Sequence, residues 1–144
     1  MIYHFKYFSD ESGGYWAKCI ELEGCITQGE TIEELKKNME EVLNLVLSEP
    51  VDSKIIFSLP KKNLKGKNIL KIPVNPKIAF ATLLRQYRLK NGFTQRQIAK
   101  KLGKELYSYQ KLESIKTANP TLKTLSLIKK VFPDFKLEIV FNMA

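Results

Sequence analysis

Between Thr94 and Gly103 the chain reads Thr-Gln-Arg-Gln-Ile-Ala-Lys-Lys-Leu-Gly, and few folds accommodate that order. Thr94 suits a helix cap, and Ile98 and Leu102, four apart, face a core. Ala99 is small where a second helix crosses closely. Gly103 stands where a tight turn demands a positive φ, which Gly adopts without steric cost. Tyr109 and Leu112 then aim a following helix, expected from near Leu106 to Ser114, at the same core. Two short helices joined by a tight turn are the expected unit.

The surrounding residues extend it into an all-α domain spanning 76–144. Asn75-Pro76 opens a helix whose apolar stripe is Phe80, Leu83, Leu84 and Tyr87 and which stops at Asn91-Gly92. A further helix is expected from Asn119-Pro120, with Asn as cap and Pro at its first position, burying Leu122, Leu125, Ile128 and Val131 before Pro133. Phe135, Leu137, Ile139 and Phe141 alternate with Lys136, Glu138, Val140 and Asn142, which reads as a terminal strand able to pair with a twin chain.

Such a helix-turn-helix leaves the second helix of the pair with an outward face. Glu105, Leu106, Tyr107, Gln110, Lys111 and Ser114 are expected on it, presented to a major groove. Gln110 suits adenine, and Lys111 suits guanine or phosphate. Thr94, Gln95, Arg96 and Lys104 sit at helix ends, where they bind phosphate and fix register. Arg85, Arg88 and Lys90 are expected to add positive field.

The front of the chain follows a different period. Tyr3, Phe5 and Tyr7 alternate with His4, Lys6 and Phe8; Asp10 to Gly14 is a turn; Tyr15–Ile20 and Cys25–Gln28 read as two more strands of a meander. Thr31 and Glu34 have capping-box spacing, opening a helix with Ile32, Leu35, Met39, Val42, Leu43 and Val46 on one face and closing near Pro50. Ile55 to Phe57 suits a fourth strand. Residues 1–59 thus form one domain. Residues 60–75, Lys-rich and punctuated by Pro and Gly, read as a linker with room for one short strand from Ile69 to Val74.

Charge divides along the same line. Residues 1–59 hold five Lys/Arg against eleven Asp/Glu, net −6, and residues 60–144 hold nineteen against four, net +15, together the +9 of the whole. The basic half fits a polyanion and the acidic half a basic protein. No hydrophobic run is long enough for a membrane span, and the first residues lack a signal-peptide pattern, so a cytoplasmic location is expected. Cys19 and Cys25 match no zinc spacing and read as free thiols. No set of carboxylates converges on adjacent strands, and the lone His4 has no nucleophile beside it; neither catalysis nor a metal or other cofactor is expected.

Two family resemblances sharpen this. The stretch Leu83 to Leu125, with Thr94-Gln95, Ile98-Ala99, Leu102-Gly103, Leu112-Glu113 and Asn119-Pro120-Thr121-Leu122, resembles the Cro/C1-type (XRE) helix-turn-helix, with Glu105-Leu106 where Ser-Gln often stands. Gly13-Gly14-Tyr15-Trp16-Ala17 followed by Glu21 to Glu34, with Gly24-Cys25-Ile26-Thr27-Gln28-Gly29-Glu30-Thr31 at its centre, resembles the HicB antitoxin domain. The resemblance implies an α+β chain: a partial ribonuclease-H-like sheet plus helix, then the helical domain with its terminal strand. It implies a HicA-type mRNA-cleaving ribonuclease toxin as partner, an operator with an inverted repeat, autorepression, and a homodimer or tetramer. Asp10, Glu11, Tyr15, Trp16, Glu21 and Glu23 are the expected toxin contacts. The alternative is a ligand-sensing repressor of the same class without a toxin.

Overall fold

In a computed structural model, which describes residues 1–141, the chain divides into two compact units. The first comprises Met1–Leu47 and Phe57–Asn75, and the second Ser48–Ile56 and Pro76–Phe141. The architecture is α+β, as expected.

The first unit is a four-stranded antiparallel sheet with one helix. Strands β1 (Ile2–Ser9), β2 (Tyr15–Cys19), β3 (Ile26–Gly29) and β4 (Ile69–Pro73) lie in the order β3-β2-β1-β4. The register places Phe8 opposite Trp16 and Trp16 opposite Gln28, Lys6 opposite Lys18, and His4 opposite Lys71. Because side chains alternate along a strand, Tyr3, Phe5, Ala17, Cys19 and Ile72 form one buried face. Helix α1 (Ile32–Leu47) covers it with Leu35, Met39, Leu43 and Leu47, none of them measurably exposed. Thr31 caps α1, its Oγ1 accepting from Glu34 N at 3.1 Å. The Glu34 carboxylate reaches back one residue further than a standard capping box and accepts from Glu30 N at 3.0 Å. Gly29 is required where β3 meets the helix start: a Cβ there would lie 2.7 Å from Leu35 N.

The fourth strand is not Ile55–Phe57. Ile55 and Ile56 are exposed and belong to the second unit, and the edge of β1 pairs instead with β4, where Ile72 and Val74 are buried and Val74 N donates to Met1 O. Alternating burial with a pairing partner beats a bare apolar run. The segment 60–75 thus contributes a strand to the first unit.

The second unit is built on α2 (Pro76–Lys90), α3 (Gln95–Lys101), α4 (Leu106–Glu113) and α5 (Leu122–Val131). Helix α2 is buried on most of its circumference, with Phe80, Leu83 and Leu84 in the core. Thr94 and Gln97 form a full capping box at the start of α3. At its end Gly103 N donates to Lys100 O and Lys104 N to Ala99 O, a Schellman closure. Gly103 has φ +65°, the left-handed value its position in the sequence demanded.

Two expectations fail here. Helix α5 starts at Leu122 rather than Pro120, because the Thr121 hydroxyl accepts from Thr124 N at 3.1 Å and supplies the cap. Leu122 consequently points outward, 85% exposed, while Thr124 and Ile128 are buried. The terminal strand is also absent from the described residues: Leu137–Ile139 is a short 3-10 turn, with Ile139 N donating to Lys136 O and Val140 N to Leu137 O. Its backbone bonds close locally because Phe132, Phe135 and Val140 are the residues buried, a spacing no strand satisfies. Phe135 packs on Tyr87 and Phe80. Asn142, the last residue of the expected strand, lies outside the described residues.

Candidate nucleic-acid interface

A buried polar hub holds α2, α3 and α4 together. Arg88 grips Glu113 with two bonds, Nε to Oε2 at 2.7 Å and Nη2 to Oε1 at 2.9 Å, and its Nη1 donates to Phe93 O at 3.0 Å. The Tyr109 hydroxyl also donates to Glu113 Oε2. The Glu113 side chain is fully buried and that of Arg88 nearly so. Burial and the adjacent Glu113 carboxylate push the Tyr109 phenol well above the usual tyrosine range. Sequence reasoning assigned Arg85 and Arg88 to a solvated positive field. Both are buried, and of that group only Lys90 is exposed. Arg85 is buried with Nε, Nη1 and Nη2 unbonded among the described residues, and burial lowers its pKa against the attraction of Glu113 and Glu49. The i, i+4 spacing of Tyr109 and Glu113 on one helix face was the available signal for the hub; an Arg two helices away carries none.

The hub reaches the expected DNA contacts through Gln95. Its Nε2 donates to Val51 O at 3.1 Å and more distantly to Glu113, and its Oε1 accepts from Gln110 Nε2 at 3.1 Å. Gln95 and Gln110, expected at phosphate and at adenine, therefore face each other across α3 and α4. Both are only half-exposed.

The outward face of α4 carries other residues. Tyr107 is 68% exposed, Lys111 Nζ lies 4.7 Å from its ring centroid, and Ser108 is exposed beside them. Tyr107, Ser108 and Lys111 lie on one face of α4, and Lys104, half-exposed, precedes its cap; Ser108 was overlooked although the i, i+3 spacing to Lys111 includes it. Glu105 is exposed at the N-cap with no side-chain capping bond. Leu106 and Ser114 are half-buried. Thr94 and Arg96 are exposed at the start of α3, with Lys100 and Lys101 exposed further along it. The exposed cations Arg96, Lys100, Lys101, Lys111 and Lys116 all belong to this unit, which carries fifteen basic against six acidic residues over its described span.

The first unit holds the other expected contacts. Asp10 and Glu11 are exposed in the β1–β2 turn, where Asp10 Oδ1 accepts from Ser12 N and Oγ, bonds that hold its carboxyl below the usual range. Glu23 is exposed and Tyr15 half-buried. Glu21 is no surface contact: its side chain is 1% exposed, bonded to His4 Nδ1 at 2.8 Å, to His4 N at 2.9 Å and to Lys61 N at 3.1 Å. Trp16 stacks on Phe8 at 4.4 Å, and Lys18 follows two residues along its strand. With five lysines of Phe57–Asn75 gained, and Glu49, Asp52 and Lys54 in the second unit, this unit holds nine basic and nine acidic residues, so the net −6 of residues 1–59 does not survive folding. Cys19 and Cys25 are both buried free thiols. Among the described residues no helix is long and apolar enough to cross a membrane.

Comparison with known proteins follows the same division. A helix-turn-helix family profile matches residues 84–137, which lie in the second unit. Over 126 residues, 81% of the chain and 90% of the relative, the sequence is 24% identical to "Antitoxin HicB" of Escherichia coli (strain K12). Two proteins of Synechocystis sp., both titled UPF0150 protein, match shorter stretches. One is 38% identical over 55 residues, 38% of the chain and 75% of the relative. The other is 48% identical over 40 residues, 28% of the chain and 58% of the relative.

Proposed function

Since the chain belongs to the HicB family and carries a Cro/C1-type helix-turn-helix, we propose that it is an antitoxin that neutralises a HicA-type ribonuclease toxin and represses its own operon. The HicB relative and the helix-turn-helix match support an antitoxin-class, DNA-binding regulator. The observation that carries the proposal is the coexistence, in one chain, of a HicB-like sheet-and-helix unit with a second unit of net +9 that presents Tyr107, Ser108 and Lys111 on an open helix face.

In this reading α4 enters the major groove, with Lys111 and Ser108 at base edges and Tyr107 on sugar or thymine methyl. Arg96, Lys100 and Lys104 neutralise phosphates. Gln95 and Gln110 orient α4 against α3 and keep out of the groove. Glu105, at the leading end, repels phosphate and narrows the approach. Two such units on an inverted repeat require a dimer or tetramer. The toxin is basic in this reading, and it meets the exposed carboxylates Asp10, Glu11 and Glu23 with Tyr15. The attraction is local, because the unit as a whole is neutral. The protein is read as a cytoplasmic binder without catalysis.

Co-expression with the neighbouring small open reading frame tests the antitoxin: a stable complex and restored growth are expected, and an inert, non-binding neighbour refutes it. Footprinting of the operon's own promoter tests the repressor. Lys111→Ala with Tyr107→Ala is expected to erase the footprint and leave toxin binding intact; retention of the footprint removes α4 from the groove.

A further inference from the structure

The sheet face turned away from α1 is the part of the molecule that neither proposed activity uses. By the strand register it carries Ile2, His4, Lys6 and Phe8 on β1, Trp16 and Lys18 on β2, Ile26 and Gln28 on β3, and Lys71 on β4. Ile2 and His4 are buried, His4 bonded to the Glu21 carboxylate, so the open part of the face is the end that holds Lys6, Phe8, Trp16 and Lys18. Phe8 and Trp16 stack at 4.4 Å with 20° between their planes, and both stay half-exposed. Lys6 Nζ lies 5.5 Å and Lys18 Nζ 5.8 Å from the Phe8 ring centroid, so two cations flank the stack. Lys71 is exposed on the neighbouring strand. No strand position on this face is a carboxylate, and none of the three lysines is ion-paired among the described residues. The unit is neutral overall, yet its charge is uneven: Glu33, Glu34, Glu40 and Glu41 are exposed on α1 beside Lys36 and Lys37, whereas the exposed charged side chains on the strands of this sheet face are all lysines.

We infer that this face is a binding platform for single-stranded nucleic acid, with Phe8 and Trp16 stacking bases and Lys6, Lys18 and Lys71 holding the phosphates that run past them. An open sheet that joins exposed aromatic rings to unpaired lysines recognises a strand whose bases are free to stack, irrespective of sequence. Duplex DNA keeps its bases stacked inside and gains nothing from the rings. A basic protein such as the proposed toxin is repelled by the lysines. Adjacent strands lie about 4.8 Å apart, so the three lysines span two to three nucleotides of a strand, and the site is correspondingly short.

Trp16 is the single tryptophan, and this makes the intact chain its own probe. Titration with a ten-nucleotide oligouridylate is expected to quench Trp16 fluorescence saturably. The logarithm of affinity should fall with the logarithm of salt at a slope of about −2, the value for three neutralised phosphates on a single strand. Lys6→Ser with Lys18→Ser and Lys71→Ser is expected to weaken binding at least about tenfold, three exposed positions where circular dichroism checks the fold. Phe8→Leu, which keeps the reporter, should weaken it about tenfold through lost stacking. Lys111→Ala with Arg96→Ala should leave the quench unchanged. The inference is overturned if oligouridylate gives no quench, if the α4 pair abolishes it while the triple lysine variant does not, or if the purified toxin protects Trp16 and the oligonucleotide does not. None of these readouts requires operator binding or toxin neutralisation, so either reading can fail alone.

Discussion

Replacing Glu113 with Ala removes the acceptor on which three helices converge. Arg88 loses bonds of 2.7 and 2.9 Å in a pocket where its own side chain is 7% exposed and that of Glu113 is not exposed at all. Stripping one partner from a buried ion pair costs about 3–5 kcal/mol, because the remaining charge stays desolvated. The Tyr109 hydroxyl is orphaned in the same step, a penalty of about 1–3 kcal/mol that overlaps the first, since both reflect one lost carboxylate. Arg85 loses a favourable charge as well. We expect about 4 kcal/mol in all, a large share of the 5–15 kcal/mol typical of a domain. Urea unfolding followed by far-ultraviolet circular dichroism reads the loss as a fall in midpoint, and Trp16 fluorescence follows the first unit in the same samples. The complementary variant replaces the whole hub with apolar residues, Arg88→Met, Tyr109→Phe and Glu113→Leu, and is expected to recover most of the loss, because the Arg88–Glu113 pair is then removed whole and only the weaker attraction on Arg85 is lost. A Glu113→Ala cost below about 1 kcal/mol would refute the reasoning; so would an apolar triple no more stable than the single variant.

Three further outcomes follow from the geometry. Arg85→Met should raise the urea midpoint by the equivalent of about 1–2 kcal/mol, since it removes a buried guanidinium with no hydrogen-bond acceptor among the described residues; a lower midpoint would show that the guanidinium is compensated. Gly103→Ala should cost about 1 kcal/mol by the same measurement, because φ is +65° while nothing lies within 4 Å of the added Cβ, so the penalty is conformational alone. Tyr109 is held protonated by burial and by Glu113, and Tyr3 chiefly by burial. Their folded pKa values exceed the unfolded ones, so their contribution to stability is complete below the ordinary value near ~10 and is lost as pH rises beyond it. In an alkaline titration their phenolate absorbance should appear only with the loss of the helical signal; ionisation in the intact fold would contradict the burial.

The legible parts of the chain were those whose cause is local. Thr94 as a cap, Thr31 with Glu34, and the positive φ of Gly103 are set by residues within one turn of each other, and the structure realises each. The α1 stripe followed from its period, and the β1–β2–β3 meander from alternation and short turns. The misreadings share a different cause. Phe135 to Phe141 alternates like a strand, but the second unit holds no strand among its described residues, and Phe132, Phe135 and Val140 close a local turn instead. Asn119-Pro120 has good helix-start chemistry, but Thr121 offers a better cap. At the site, exposure of Tyr107 and Lys111 followed from helical spacing, whereas the inward turn of Gln95 and Gln110 depends on where α3 crosses α4.

The sequence alone determined the two kinds of structure in this chain, the positions of its caps and its helix-turn-helix, because periodicity and capping act over a few residues. Tertiary structure decided which strand completes the sheet, and it took Arg88 and Glu21 out of the list of surface charges. It also moved five lysines into the acidic unit and Glu49, Asp52 and Lys54 out of it, leaving that unit neutral with a basic aromatic face. Those outcomes depend on partners 17 to 71 residues away in the chain, as with His4 and Glu21, Arg88 and Glu113, or Ile2 and Pro73. Burial makes such pairings strong, and no pattern along the sequence announces them.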